Sequence, residues 1–394
     1  MTRRPVVLLA AATLAAGDAR AIEPGRTVIN SSYGSLTVGT ILQGLFEARF
    51  DAGDGYDTAY DAYANDHFDF IAQRARLILR GSLLTPYLTY MFQGDATLPE
   101  FLLDARIGFV IPEGEGTSTT ISVGRFLPPF TLILPRPPSR LDAIEYPLYL
   151  FAYHDAGGVR QPFADPGTLG RQIGLLATQR IADIVTIDAG IFNGRRREPV
   201  HRPWEDDNDL KDVMARVAVR PVERLLLAVD WWLGLPASLD EAGNPFQVST
   251  TDGTLENDTA QFLVLEAEWS PVRGLKLQGE SAFSWQTTRS SAADGARTSA
   301  SFSAFGAWFH AAYVFEGLLG PGSDVELAAR YDYFDQDTDT GRNTWMRVTL
   351  GPHLFLERLH SQVRVNYSIS LFDAPYDRWA EQRHEIAVQA TVEI

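Results

Sequence analysis

Gln362-Val363-Arg364-Val365-Asn366-Tyr367-Ser368-Ile369-Ser370-Leu371 is the stretch that decides the fold. Polar side chains occupy every even position and apolar ones every odd position. That is the period of an extended strand with one wet and one greasy face. The pattern recurs from Lys276 to Gln286, where Lys276, Gln278, Glu280, Ser284 and Gln286 share a face with Ala282. Leu275, Leu277, Phe283 and Trp285 occupy the other face, with Gly279 and Ser281. At the C-terminus Glu385, Gln389, Thr391 and Glu393 oppose Ile386, Val388, Ala390, Val392 and Ile394. A soluble sandwich turns its apolar faces into a core. Here the polar faces carry charge deep within the segments, which suits a barrel that shows apolar residues to lipid and encloses water.

About sixteen such segments can be read, an even number as bacterial barrels use. They lie near 35–50, 67–80, 84–94, 101–112, 118–127, 169–180, 182–193, 210–220, 223–235, 258–270, 273–288, 300–316, 322–335, 341–356, 359–372 and 382–394. Connections alternate in length. Gly81-Ser82, Pro221-Val222 and Pro271-Val272 read as tight turns, whereas 51–66, 128–168, 194–209 and 236–257 are long. Such sorting is expected when one rim faces the periplasm and the other the outside. Trp231, Trp269, Trp285, Tyr331 and Tyr333 fall on apolar faces, where interface girdles would need them. The fold class expected is an all-β, transmembrane antiparallel barrel.

The first residues read as an export signal. Arg3 and Arg4 precede an apolar run from Pro5 to Ala16, and Ala19-Arg20-Ala21 offers a small-x-small cleavage pattern. The expected organisation is a signal peptide at 1–21, a short N-terminal segment at 22–34 and a barrel at 35–394. Beyond Ala21 no window reaches the roughly 18 apolar residues of a membrane helix. The chain has no cysteine, which excludes disulfides and thiol chemistry. Its formal charge is −16, which disfavours a nucleic-acid partner. Lys211 and Lys276 are the lysines, so nearly all positive charge is arginine.

Several local patterns, in order along the chain, point to a family. They are Gln73-Arg74-Ala75-Arg76-Leu77, Val123-Gly124-Arg125-Phe126 with Pro128-Pro129-Phe130, Phe192-Asn193-Gly194, Asp207-Asn208-Asp209, Met214-Ala215-Arg216, Leu277-Gln278-Gly279-Glu280, Ala329-Arg330-Tyr331 and Thr349-Leu350-Gly351. From about residue 35 onward the chain resembles the phosphate-selective porin O and P family of Gram-negative outer membranes. The resemblance implies a sixteen-stranded barrel, a homotrimer, and a third loop folded into the lumen. The chain departs from the family's pattern at Glu145-Tyr146 and His154-Asp155, and it ends in Ile394 rather than an aromatic residue. With lysine nearly absent, phosphate selectivity does not carry over with the fold.

The sharpest candidate site is a row of arginines. Arg74, Arg76 and Arg80 share one strand face by parity, opposite Ile71, Ala75, Leu77 and Leu79, with Gln73. Pointing inward, they would form either an electrostatic ladder for anions or a brace against acidic neighbours, for which Asp104 and Glu47 are the candidates. Arg106, Arg216 and Arg220 also fall on polar faces, while Arg125 falls with Ile121 and Val123. The connection at 128–168 is about forty residues long, well beyond an ordinary link. It is rich in proline and in apolar residues such as Phe130, Leu132, Ile133 and Leu134. It reads as a constriction loop whose Arg136, Arg140, Asp142 and Glu145 would set pore size and field.

An enzyme is not expected. The seven histidines lie in separate segments without metal-ligand spacing, and no nucleophile elbow or phosphate-cradling loop is present. No cofactor, catalytic residue or metal site is assigned. The acidic runs at 51–66, 205–209 and 335–339 read as solvated loop tips or as weak divalent-cation sites. The functional expectation is an outer-membrane porin passing small hydrophilic, anionic solutes, with lipid and lipopolysaccharide as its surroundings. The alternative is a closed-lumen barrel acting as adhesin, receptor or structural protein.

Overall fold

The computed structural model describes residues 25–52, 67–84, 87–98, 101–150, 170–194, 210–235, 259–291, 297–339, 341, 344–356, 361–373 and 382–394. The expected export signal at 1–21, the acidic runs at 53–66 and 205–209, and the second part of the long loop at 151–168 lie outside the described residues.

Seventeen strands belong to one sheet among the described residues. They are β1 (Arg26–Asn30), β2 (Gly34–Ala52), β3 (His67–Leu83), β4 (Leu88–Asp95), β5 (Leu102–Gly114), β6 (Thr117–Phe126), β7 (Gln172–Ile181), β8 (Val185–Phe192), β9 (Asp212–Val222), β10 (Leu225–Gly234), β11 (Thr259–Trp269), β12 (Leu275–Ser291), β13 (Arg297–Phe315), β14 (Ser323–Asp335), β15 (Thr344–Leu356), β16 (Ser361–Asp373) and β17 (Gln382–Glu393). From β2 onward each strand pairs antiparallel with the next. The ring closes where β17 pairs with β2, from Gln382 opposite Ala52 to Glu393 opposite Ile41. Each of the sixteen sequence segments corresponds to one of the strands β2 to β17.

The strand that sequence periodicity did not reveal is β1, which is exposed along its whole length. Its role is visible only in register. Ile394 exchanges two backbone hydrogen bonds with Thr40, at 2.9 and 3.2 Å, and there β17 ends. Past that point β1 takes over the same edge of β2, with Arg26 opposite Val38 and Asn30 opposite Ser35. The two chain ends thus share one line of pairing along β2, and β2 is not left with a bare edge.

Side-chain direction follows the alternation in the opposite sense to a soluble protein. On β10, Leu226, Ala228, Asp230 and Trp232 are buried, whereas Leu227, Val229 and Trp231 are 45%, 47% and 37% exposed. Ionic groups such as Arg216, Asp332, Arg347 and Glu385 lie inside. The outer surface carries Leu265, Phe309, Leu327, Val348 and Leu350, all exposed. Apolar side chains outside and charges inside are what a lipid-facing wall around an aqueous lumen requires.

Several turns fall later than composition suggested. Gly81-Ser82 and Pro221-Val222 lie within β3 and β9, and the reversals come at Leu84 and Arg224, both with positive φ. Gly81 is a packing glycine. A Cβ there would sit 1.9 Å from the Ser35 carbonyl oxygen and 2.7 Å from the Tyr90 hydroxyl, because Tyr90 lies across it to bond Ser35. Pro221 is tolerated where the β9–β10 register shifts. Ala182 and Asp183 both have positive φ and are the first two of the three residues that join β7 to β8 as a hairpin.

Val229 lies on the outer face near the middle of β10. Val229→Arg should therefore lower folding stability in lipid vesicles by about 2–4 kcal/mol in urea titrations, whereas Val229→Leu should leave it near wild type.

Candidate pore constriction

The loop leaves the wall after Phe126 and turns inward at Pro128-Pro129. From Phe130 to Leu150 its apolar residues are almost wholly buried: Phe130, Leu132, Ile133, Leu134, Leu141, Ile144, Leu148 and Leu150. They pack against inward residues of β7 to β15, including Phe192, Trp232, Phe262, Trp308 and Trp345. Ile144 packs on Leu45 of β2 and Ala387 of β17. Phe192 and Trp232 stack at 5.3 Å, with Phe130 edge-on to the indole at 5.5 Å. The described part of the loop lies against β7–β17 and β2. The inner wall formed by β3 to β6 takes no part in these apolar clusters beyond Phe126.

Charges on the wall hold the loop backbone. The Thr131 amide donates to Asp230 Oδ2 at 2.7 Å, and the Leu132 amide donates to Glu280. Tyr149 donates its hydroxyl to the same Glu280 at 2.9 Å. Thr131 has a φ of 70°, a left-handed conformation that costs a β-branched residue about 1–3 kcal/mol and persists only where its surroundings enforce it. Two successive amides aimed at two fixed carboxylates supply that enforcement. On the far side, Arg330 and Arg347 donate to the carbonyl oxygens of Glu145 and Tyr146, and Arg364 donates to that of Ser139.

The four loop charges singled out in the sequence are all engaged with the wall. Arg136 pairs with Glu268, Arg140 with Glu393 at 3.4 Å, Asp142 with Lys276, and Glu145 with Arg347. Burial alone would push the Glu145 carboxyl up. Arg347, a hydrogen bond with Glu385, and the charges of Arg330 and Arg49 outweigh burial and hold it at about 2. This attachment is therefore ionic throughout the neutral range.

The wall arginines divide into distinct environments. Arg216 is buried among Asp230 at 2.9 Å, Glu266 at 2.7 Å and Asp188 at 3.9 Å, beneath the loop. Arg220 lies further along β9, half-buried. On β3, Arg74 donates to the neutral amide of Gln43 at 2.8 Å, and Arg76 pairs with Asp95 at 2.9 Å. Arg80 is half-buried on the same face, opposite Thr37 and Met91. The bracing partners expected from sequence are therefore corrected. Asp104 pairs with Arg171 at 3.1 Å, and Glu47 pairs with Arg49. Asp95 lies at the end of β4, where strand order brings it opposite Arg76. Parity alone missed it, because its own segment ends there.

Gln73 is a second correction. The β2–β3 register shifts at Gln43 and Gly44, so Arg74 and Ala72 are matched to consecutive residues of β2 and Gln73 is left over. Gln73 then accepts a hydrogen bond from Gln389, a buried residue of the inner face, at 2.6 Å. It joins the lumen side instead of the lipid side. Arg125 shares the face of the outward Val123 by parity and is half-buried. Asp335 and Asp337 each accept the amide two residues on, at 3.2 Å, and no metal-ligating group is present among the described residues.

A closed ring of sixteen strands, an apolar exterior, an ionic interior and an inward-folded loop define an outer-membrane β-barrel of the porin build. Solved structures with the same fold agree. An anion-selective porin from Comamonas acidovorans superposes with a TM-score of 0.59 at 14% identity, covering 92% of this chain and 100% of that one. The outer membrane channel DcaP of Acinetobacter baumannii gives 0.58 at 10% identity, with 93% and 99% covered. OmpF of Salmonella typhi, solved in complex with daunomycin, gives 0.58 at 12% identity, with 94% and 100% covered. No family model matches the sequence and no curated relative matches it, so the likeness is one of fold.

Arg347 serves Glu145 of the loop and Asp332 of the wall together. Arg347→Ala should cost about 3–5 kcal/mol of unfolding free energy in lipid, as for other broken buried pairs, and Arg347→Lys should recover part of it.

Proposed function

We propose that the chain is a passive diffusion channel for small hydrophilic solutes with a preference for anions. The observation that carries this reading is the sorting of the inner surface. The described loop residues pack against the wall from β7 to β17 and β2, where most of the buried carboxylates lie: Asp188, Asp230, Glu266, Glu280, Glu326, Asp332 and Glu385. The arc from β3 to β5 carries Arg74, Arg76, Arg80 and Arg106, with Arg171 at the far root of the loop. Its buried carboxylates, Asp95 and Asp104, are each taken up by an arginine. A path along that arc would run beside excess positive charge, which concentrates anions in a narrow tube.

The resemblance to the phosphate-selective porin O and P family supports a channel. The scarcity of lysine argues against extending it to phosphate. The reading assigns no catalysis. His353 bonds Glu326 at 2.9 Å and Asn366 at 3.0 Å, and His384 bonds the Tyr367 hydroxyl at 2.7 Å and Gln382 at 2.9 Å, partners that include no serine or threonine among the described residues. A homotrimer in lipid and lipopolysaccharide is the assembly proposed. Its support is the length of β4 and β8, eight residues each, against the 9–11 residues a tilted strand needs to cross a bilayer. A neighbouring copy would cover so low a wall.

Purified protein in planar bilayers under a KCl gradient tests the reading. The expected reversal potential has the sign of chloride preference. A cation preference would overturn the anionic part. Absence of any conductance would replace the channel with the closed-lumen alternative, a barrel serving as adhesin, receptor or structural protein.

A further inference from the structure

The arginines of the lumen differ in what already holds them, and Arg106 stands apart. Asp104, Arg106 and Gly108 share one face of β5, and Ile107 and Phe109, 48% and 50% exposed, share the other. The first face is the inner one. Gly108 lies opposite Ser122, and Ser122 lies opposite Leu176, which belongs to the apolar cluster under the loop. On that inner face Arg106 is exposed, and it makes no hydrogen bond or ion pair among the described residues. Its cross-strand neighbours are Met91 on β4 and Gly124 on β6, neither of which is acidic. Asp104, two residues away on the same face, is already paired with Arg171.

Its position matches its freedom. Gly124 stands two residues before Phe126, where the wall gives way to the loop, and Gly124 is in turn opposite Gly174 on β7. Arg106 therefore projects beside the root of the loop, next to glycines. Arg76, Arg171 and Arg216 each share their charge with a carboxylate at hydrogen-bond distance, and Arg74 is held by Gln43. A cation closely paired with an anion presents only a dipole to a passing ion, whereas an unpaired guanidinium in an enclosed tube keeps its full attraction.

We propose that Arg106 is the specificity-determining residue of this pore, the guanidinium on which permeating small anions dock in passing. The inference rests on the channel reading above and replaces an evenly shared ladder along β3 with one principal post on β5. Reversal potentials under a KCl gradient, on refolded protein whose heat-modifiable gel shift shows an intact barrel, provide the test. Arg106→Gln should lower the chloride-to-potassium permeability ratio by about twofold or more, and Arg106→Glu should lower it further. Arg106→Lys should keep most of the preference, and removal of a whole ion pair, Arg76→Gln together with Asp95→Asn, should shift the ratio less than Arg106→Gln does. Wild-type protein that prefers chloride but is insensitive to Arg106→Gln, or that responds more to the Arg76→Gln, Asp95→Asn double substitution, overturns this assignment alone. Wild-type protein that prefers potassium overturns the anionic reading with it.

Discussion

Hydrocarbon offers a peptide group no hydrogen-bond partner, and that constraint organises the whole molecule. Every strand must find a neighbour on both sides, so the sheet has to close. The pairing of β17 with β2 does this over twelve residue pairs. The remaining stretch of β2 is paired by β1, in line with Ile394. Once the ring is closed, alternation assigns each residue to lipid or to the lumen, with no third choice. The 19-residue β2 and β13 are much longer than a bilayer crossing needs, and β4 and β8 are the shortest members of the ring.

A lumen this wide cannot be filled by wall side chains, and the loop that enters it meets a surface unlike a soluble core. Its apolar residues find Phe192, Phe262, Trp308 and Trp345 among the inward positions. Its backbone groups find fixed charges. Glu280 alone accepts from Leu132, Tyr149 and Trp308. Buried ionic groups are weak contributors to net stability but strict about geometry, since a displaced partner leaves a charge uncompensated. The loop path is accordingly set by Asp230 and Glu280 at one end and by Arg330, Arg347 and Arg364 at the other.

The same closure sorts the lumen by charge. Most buried wall carboxylates lie where the loop docks, alongside Arg216, Arg330, Arg347 and Arg364, and the arc from β3 to β5 carries Arg74, Arg76, Arg80 and Arg106. Within that arc the cations are unequal, because neighbouring strands bring acidic side chains to some and not to others. Arg76 meets Asp95 across β4, and Arg171 reaches Asp104. Arg106, between Met91 and Gly124, meets neither. One strand's alternation gives Arg74, Arg76 and Arg80 a common face, and the adjoining strands decide what each of them is free to do.

Alternation within single strands was enough to define the barrel and the number of strands in its ring, because period and face are local properties of an extended chain. It also marked the long connection after β6 as a loop of apolar composition. Register, by contrast, depends on the neighbouring strand. The leftover Gln73 turned a residue from the lipid side to the lumen, Asp95 took the place expected of Asp104 and Glu47, and Gly81 proved to be cover for Tyr90 instead of a turn. The attachments of Thr131, Arg136, Asp142 and Glu145 span about a hundred residues or more of sequence, and only closure of the ring places those groups within reach of one another.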